Sequence, residues 1–189
     1  NARPTASISG TNLFCNGDST TLTATGSGGS GSGYTFNWSH SLGTNNSVNV
    51  NPSSTTTYIV TITDTNGCTN TATRIVTVNG NPTGSIAGTM SICDGSSTNL
   101  TVSGNGGSGS GYTYIWSNGL GTNPAIALSP DTTTIYSITI TDSNGCSGTI
   151  TDTVRVNSNP SGIVTGFNTI CLGSSTTLTV NGNGGSGSG

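Results

Sequence analysis

The residues best suited to chemistry in this chain are its five cysteines. Ionisable side chains are scarce, because the 189 residues include three Lys or Arg, six Asp or Glu and one histidine, His40. General acid–base catalysis and nucleophilic triads both need several positioned ionisable groups. We therefore expect no enzyme activity and no cofactor. We expect the cysteines to form disulfides, which are typical of secreted β proteins.

The cysteines recur with a fixed period along the sequence. The interval from Cys15 to Cys93 equals that from Cys93 to Cys171 (93 − 15 = 78 and 171 − 93 = 78), and Cys68 and Cys146 have the same spacing (146 − 68 = 78). Solenoid repeats are shorter than this, whereas one small domain per repeat fits. The sequence predicts one repeat over residues 1–80, a second over 81–158, and the first two strands of a third over 159–189.

The cysteines can pair in two ways, and the sequence leaves both open. The simplest pairing stays inside each repeat and joins Cys15 to Cys68 and Cys93 to Cys146. In a two-sheet fold, however, the two turns involved lie at opposite ends of a strand, about 20–25 Å apart, whereas bonded cysteines have Cα atoms within about 7 Å. The rival pairing joins Cys15 to Cys146 of the next repeat. Cys171 is the first cysteine of the third repeat, and its partner is expected beyond residue 189.

Apolar residues alternate with polar ones in short segments of each repeat. Leu22 and Ala24 alternate with threonines, and Tyr34, Phe36 and Trp38 share one face, as in half-buried β-strands. Each repeat holds about seven such segments, with turn signals every 8–12 residues and no helical periodicity. The pattern predicts an all-β chain of tandem immunoglobulin-like β-sandwiches.

Two aromatic positions of each repeat match the core of such a sandwich. Trp38 and Trp116 lie where these folds bury a tryptophan of strand C, and Tyr58 and Tyr136 lie where a tyrosine corner begins strand F. Each pair has the spacing of the cysteines (116 − 38 = 78 and 136 − 58 = 78). We predict that all four are structural core residues.

Charge and hydropathy exclude two classes of partner. The net charge is −3 and only three residues are basic, so the basic surface that binds nucleic acid is missing. No apolar run approaches the roughly 18 residues of a membrane span, and we expect no membrane insertion. Trypsin-like proteases have few sites to cut, which suits an extracellular protein.

Two further motifs invite comparison with ligand sites. The glycine-rich segment GGSGSG, residues 28–33 and 106–111, lacks the lysine and the following helix of a phosphate-binding loop. We expect it to pack at a joint between domains. Asp64, with its counterpart Asp142, marks the only position that is acidic in both complete repeats. One carboxylate per repeat is too few for a calcium site. The sequence Asp-x-Asn-Gly instead indicates a turn.

The whole chain resembles the Ig-like or PKD-like repeats of giant cell-surface adhesins of the Bacteroidota, including the SprB-like gliding adhesins. The resemblance implies a secreted filament or adhesin that is exported by the type IX pathway and has no catalytic residues. The residues that carry it in the first repeat are Cys15, Gly17, Leu22, Tyr34, Trp38, Tyr58, Asp64, Asn66, Gly67 and Cys68, and they recur from Cys93 to Cys146.

The function predicted from the sequence is structural. We expect a repeat region that forms the shaft of an extracellular filament or long cell-surface adhesin and contacts mainly neighbouring repeats or other copies of itself. The alternative is an adhesion module whose loops bind glycans or a surface. Three Asp-Ser/Thr tripeptides resemble the O-glycosylation motif of Bacteroidota, and their candidate acceptors are Ser19, Thr132 and Thr153.

Overall fold

The computed structural model describes residues 2–29, 32–107 and 110–185, and nearly all of their regular structure is β-strand. The described residues form sixteen strands, and the one helix among them is a single 3-10 turn over Ser117–Gly119. The prediction of an all-β chain is confirmed. No helix in the described ranges is long and apolar enough to span a membrane.

The first seven strands form two sheets. One sheet has the order β1-β3-β5 and the other the order β2-β7-β6-β4. Side chains from both sheets meet in a single hydrophobic cluster, so the core lies between them. The strands are β1 (Pro4–Ser9), β2 (Leu13–Cys15), β3 (Thr20–Gly28), β4 (Thr35–Trp38), β5 (Ser47–Val50), β6 (Thr56–Thr63) and β7 (Thr69–Asn79).

The next seven strands follow the same order. Each strand begins 78 residues after its counterpart, as β8 does after β1 (82 − 4 = 78) and β14 does after β7 (147 − 69 = 78). The two sheets have the orders β12-β10-β8 and β11-β13-β14-β9. A last pair, β15 (Pro160–Thr165) and β16 (Thr179–Gly184), forms a two-stranded antiparallel sheet. The second set comprises β8 (Pro82–Gly88), β9 (Ser91–Cys93), β10 (Thr98–Gly106), β11 (Thr113–Trp116), β12 (Ala125–Leu128), β13 (Thr134–Thr141) and β14 (Ser147–Asn157).

Alternation of apolar and polar residues explains why these segments are strands. In β6, Tyr58, Val60 and Ile62 are buried while the residues between them are more exposed. In β3, Leu22 and Ala24 point into the same core. Full burial of each large side chain contributes about 1.5–3 kcal/mol, so the alternating residues select the face that turns inward.

The aromatic residues predicted for the core are buried. Trp38 and Trp116 occupy equivalent places, and each indole Nε1 donates a hydrogen bond of 2.8 Å to a backbone oxygen, of Asn45 and Asn123 respectively. These bonds satisfy the polar atom that burial of a tryptophan would otherwise leave unpaired. Tyr136 is buried in the same way as Tyr58.

The Tyr58 ring lies against the one histidine of the chain. Its centroid is 5.2 Å from that of His40, with the two rings tilted by 57°. Burial raises the pKa of the Tyr58 hydroxyl above its ordinary value, because water no longer solvates the phenolate.

Strand β2 was not predicted, since the sequence around Cys15 indicates only a turn. It runs parallel to the end of β7, with Leu13 beside Thr77 and Cys15 beside Asn79. A three-residue strand is too short to show alternation. Its pairing places Cys15 at the far end of β7.

By spatial contact the chain divides into two compact units. The first contains the residues through Thr83 together with Asn105–Thr113 and Ile140–Gly148; the second contains Gly84–Gly104, Tyr114–Thr139 and the residues from Thr149 onward. The F–G turn of the second strand set, between β13 and β14, thus belongs to the first unit. The sequence-based domain boundaries at 80/81 and 158/159 remain predictions.

We expect Leu22→Ala to lower the free energy of unfolding by about 2–5 kcal/mol, because Leu22 is 0% exposed in the core. Leu178, two periods later (178 − 22 = 156), is 58% exposed, and Leu178→Ala should change stability by less than about 0.5 kcal/mol. Urea unfolding followed by Trp38 fluorescence, with Trp116 replaced by Phe in all variants, measures both. Equal losses in the two variants would contradict the placement of the core.

Candidate functional site

The chain contains a disulfide between Cys15 and Cys146, which are 131 residues apart in sequence. Their Cα atoms lie 5.4 Å apart, and the Cys146 side chain is fully buried. Both cysteines belong to the first compact unit. The other three cysteines, Cys68, Cys93 and Cys171, are free thiols. Of the two pairings that the sequence leaves open, the structure contains the one that joins the two strand sets.

The length of β7 explains why the pairing within one repeat is wrong. Cys15 lies beside Asn79 at the end of this 11-residue strand, whereas Cys68 immediately precedes its start. Eleven extended residues span about 30–35 Å, far beyond the roughly 7 Å that a disulfide permits between Cα atoms. In the second strand set β14 is also 11 residues long, and Cys93 lies beside Asn157 at its end.

Asp142 orders the turn that carries Cys146. Its Oδ1 accepts hydrogen bonds from the backbone N–H of Asn144 at 2.9 Å and of Cys146 at 3.0 Å. Its own N–H donates to the Cys146 carbonyl oxygen at 2.9 Å, and the Gly145 N–H donates to its carbonyl oxygen at 3.0 Å. This is the side-chain-to-backbone pattern that Asp provides in turns. The buried carboxylate therefore fixes the backbone from which the Cys146 sulfur projects.

The first strand set contains the same turn with a free cysteine. Asp64 Oδ1 accepts from the N–H of Asn66 at 3.0 Å and of Cys68 at 2.8 Å. Its N–H donates to the Cys68 carbonyl oxygen at 3.0 Å. Within the described ranges no three His, Cys, Asp or Glu side chains are grouped so as to hold a metal ion. The two acids thus have a turn-forming role in common.

A second turn, between β2 and β3, presents Cys15. The Asp18 N–H donates to the Cys15 carbonyl oxygen at 3.0 Å, and the Asn16 N–H donates to the Asn79 oxygen at 2.8 Å. The Asn81 side-chain amide donates to the Asn16 oxygen at 3.0 Å. These bonds tie the turn of Cys15 to the two residues that connect β7 with β8. This role of Asn81 is not among those predicted from the sequence, although an Asn-Pro pair at 81–82 and again at 159–160 is a recognisable signal.

Glycines let the backbone close around Pro82, the first residue of β8. Pro82 is buried. A β-carbon on Gly148 would collide with the Pro82 carbonyl oxygen. A β-carbon on Gly107, whose φ is +60°, would collide with the Asp142 carboxylate and lie 3.2 Å from the Pro82 nitrogen. Packing around Pro82 therefore requires glycine at both position 107 and position 148.

The described residues of the glycine-rich loops pack within their own strand set, and the packing between domains that the sequence predicts stays a prediction. Gly29 and Gly107 each approach the aspartate of their own F–G turn and the first proline of their own strand set, Pro4 and Pro82. The predicted packing role also covers Ser30, Gly31, Ser108, Gly109 and residues 186–189, which lie outside the described residues.

The candidate glycosylation sites lie at different places along the strands. Ser19 precedes β3 and Thr132 precedes β13, and both are exposed. Thr153 lies within β14, is half-buried, and its N–H donates to Asp152 Oδ1 at 2.7 Å. The three residues therefore stand on separate elements, and glycosylation remains a prediction for each.

We expect Cys15→Ser/Cys146→Ser to lower the melting temperature of the first unit, because a loop closed over 131 residues stabilises by up to about 5 kcal/mol in the chain-entropy treatment. Cys171→Ser, which removes a free thiol, is the matched control and should leave the melting temperature unchanged. Scanning calorimetry with and without a phosphine reductant measures the effect. A wild-type protein that is indifferent to the reductant would contradict the assignment.

We expect Gly148→Ala to destabilise the first unit by about 1–3 kcal/mol, because the added methyl group meets the Pro82 backbone. Gly162→Ala is the control, since a β-carbon there meets nothing closer than 3.7 Å. Hydrogen exchange of the β7 and β14 amides reports on both variants. Equal protection in the two variants would show that the packing around Pro82 is looser than described.

The sequence matches no protein-family model and no curated protein. The function proposed below therefore rests on the disulfide, on the turns that present its cysteines and on the scarcity of ionisable side chains.

Proposed function

We propose that this chain is a structural repeat region, built of tandem immunoglobulin-like β-sandwiches with a 78-residue repeat, that forms the shaft of an extracellular filament or long surface adhesin. The observation that carries the proposal is the bond between Cys15 and Cys146, which joins one strand set to the next. A bond of this kind reinforces the connection between repeats. The recurrence of strand starts at one constant interval supports the repeat architecture.

The mechanism in this proposal is mechanical. Only Gly80 and Asn81 separate β7 from β8, and the disulfide provides a second covalent connection between the same strand sets. Tension applied to the chain outside the disulfide passes through the sulfur atoms. Residues 16–145 then carry no load until that bond is reduced.

Surface chemistry supports a position outside the cell. A disulfide persists in oxidising compartments and is rare where thiols are kept reduced. Nine charged residues among 189 (3 + 6) leave few ion pairs for salt to screen. Hydroxyl and amide groups hydrate such a surface at any ionic strength. We therefore propose a non-enzymatic, extracellular protein whose main partners are its own repeats, with export by the type IX pathway resting on the sequence resemblance alone.

We expect antibodies raised against the chain to label extracellular fibres of the producing cells at intervals along their length in immunogold electron microscopy. The same antibodies absorbed with the purified chain provide the control. Label confined to the cell interior, or to isolated particles, would overturn the proposal. A glycan array probed with the purified chain tests the alternative, because saturable binding to one glycan class would favour an adhesion module over a shaft.

A further inference from the structure

The hairpin β15–β16 exposes an apolar face. This face consists of Pro160, Val164, Leu178 and Val180, whose counterparts in the earlier strand sets face the core. We call these four residues the open face, and all four are exposed. Val164 and Val180 lie opposite each other in the strand register. Exposure of adjacent apolar side chains is unfavourable in water and marks a surface that binds a partner.

The equivalent positions of the first two strand sets are covered. Leu22 and Leu100, the counterparts of Leu178, are both 0% exposed. In the first set the cover consists of β5, which pairs with β3 through Thr20–Thr23, and of the sheet β2-β7-β6-β4. The partner that fits the open face therefore has the alternating pattern of strands β4 to β7, or of their counterparts β11 to β14.

Cys93 is a second observation that indicates the same partner. It is an exposed free thiol, and its turn repeats that of Cys15: the Ser96 N–H donates to the Cys93 oxygen at 3.0 Å, and the Asp94 N–H to the Asn157 oxygen at 2.8 Å. The Asn159 side chain donates to the Asp94 oxygen at 3.0 Å, as Asn81 does to Asn16. The turn of Cys93 is therefore tied to the start of β15 in the way that the turn of Cys15 is tied to β8.

The existing disulfide shows where a partner's cysteine would arrive. The strand that packs over Pro82 is β14, through Gly148, and the cysteine just before β14 bonds to Cys15. Pro160 is the counterpart of Pro82 but is exposed. A strand that covered Pro160 in the same way would carry its preceding cysteine to Cys93.

We propose that the open face and Cys93 form one docking surface for a polypeptide segment with the strand pattern of residues 112–158, and that the cysteine of the segment bonds to Cys93. The inference rests on the proposed repeat architecture but not on the shaft function. A chain that failed to label fibres would still bind the segment.

Bond formation needs an oxidant, for which a small-molecule disulfide such as oxidised glutathione is sufficient. The segment's thiolate attacks glutathione disulfide, forms a mixed disulfide and releases one glutathione thiolate. The Cys93 thiolate then attacks the segment's sulfur in the mixed disulfide and releases the second. Two protein thiols are oxidised to one disulfide, and one glutathione disulfide is reduced to two glutathiones.

The test mixes the full chain with a separate, ¹⁵N-labelled polypeptide of residues 112–158, whose one cysteine is Cys146, in a glutathione redox buffer. We expect a one-to-one adduct in which peptide mapping finds the labelled Cys146 joined to Cys93. Cys93→Ser should abolish the covalent adduct while leaving non-covalent binding in place. Attachment mainly to Cys68, Cys171 or Cys15, or no adduct at all, would overturn the proposal.

The role of the open face is tested by Leu178→Asn, which we expect to reduce the rate of adduct formation at least tenfold. Leu178 is exposed in the chain alone, so this variant should fold normally, as circular dichroism can verify. Ile135→Asn, at another exposed apolar residue, is the matched control and should leave the rate unchanged. Equal rates for Leu178→Asn and the wild-type chain would show that Cys93 reacts without docking and would overturn the proposal.

Discussion

The length of one strand determines how this chain is cross-linked. Because β7 and β14 are 11 residues long, the cysteines associated with their two ends stand too far apart to bond with each other. Cys15 instead bonds to Cys146 of the other strand set. Shorter strands would bring the same residues within reach and turn a connection between neighbours into a staple inside one sandwich. A geometric property of the backbone thus decides what the covalent chemistry can join.

Two of the chain's six acidic residues are buried inside turns. Asp64 and Asp142 are buried, and each carboxylate accepts two backbone N–H groups. Such bonds to an ionised acceptor are stronger than those between neutral groups. They hold the peptide that carries each cysteine in one conformation. A preorganised thiol loses less conformational entropy when it bonds, so the acid and the cysteine act as one unit.

Much of the fold could be predicted from the sequence, because period-two alternation and the spacing of Trp38 and Trp116 report directly on strands with one buried face. The parallel pairing of β2 could not, since Leu13–Cys15 is too short to alternate and its partner strand lies far along the sequence (77 − 13 = 64). The sequence allows two pairings of the cysteines. The choice between them depends on the length of β7, which the sequence underestimates. The close approach of Gly148 to Pro82 is also invisible in the repeat, because the first set has Asn70 at that position and its side chain bonds to Pro4 instead.

The Cys15–Cys146 bond also changes the topology of the chain, because it closes residues 15–146 into a covalent ring. A polypeptide that is cut once within such a ring stays in one piece. Of the three arginines, Arg3 precedes a proline, Arg74 lies inside the ring and Arg155 lies outside it. Hydrolysis after Arg74 would therefore open the ring without separating its ends. The two pieces of the chain would remain attached to each other through sulfur although the backbone within β7 had been broken.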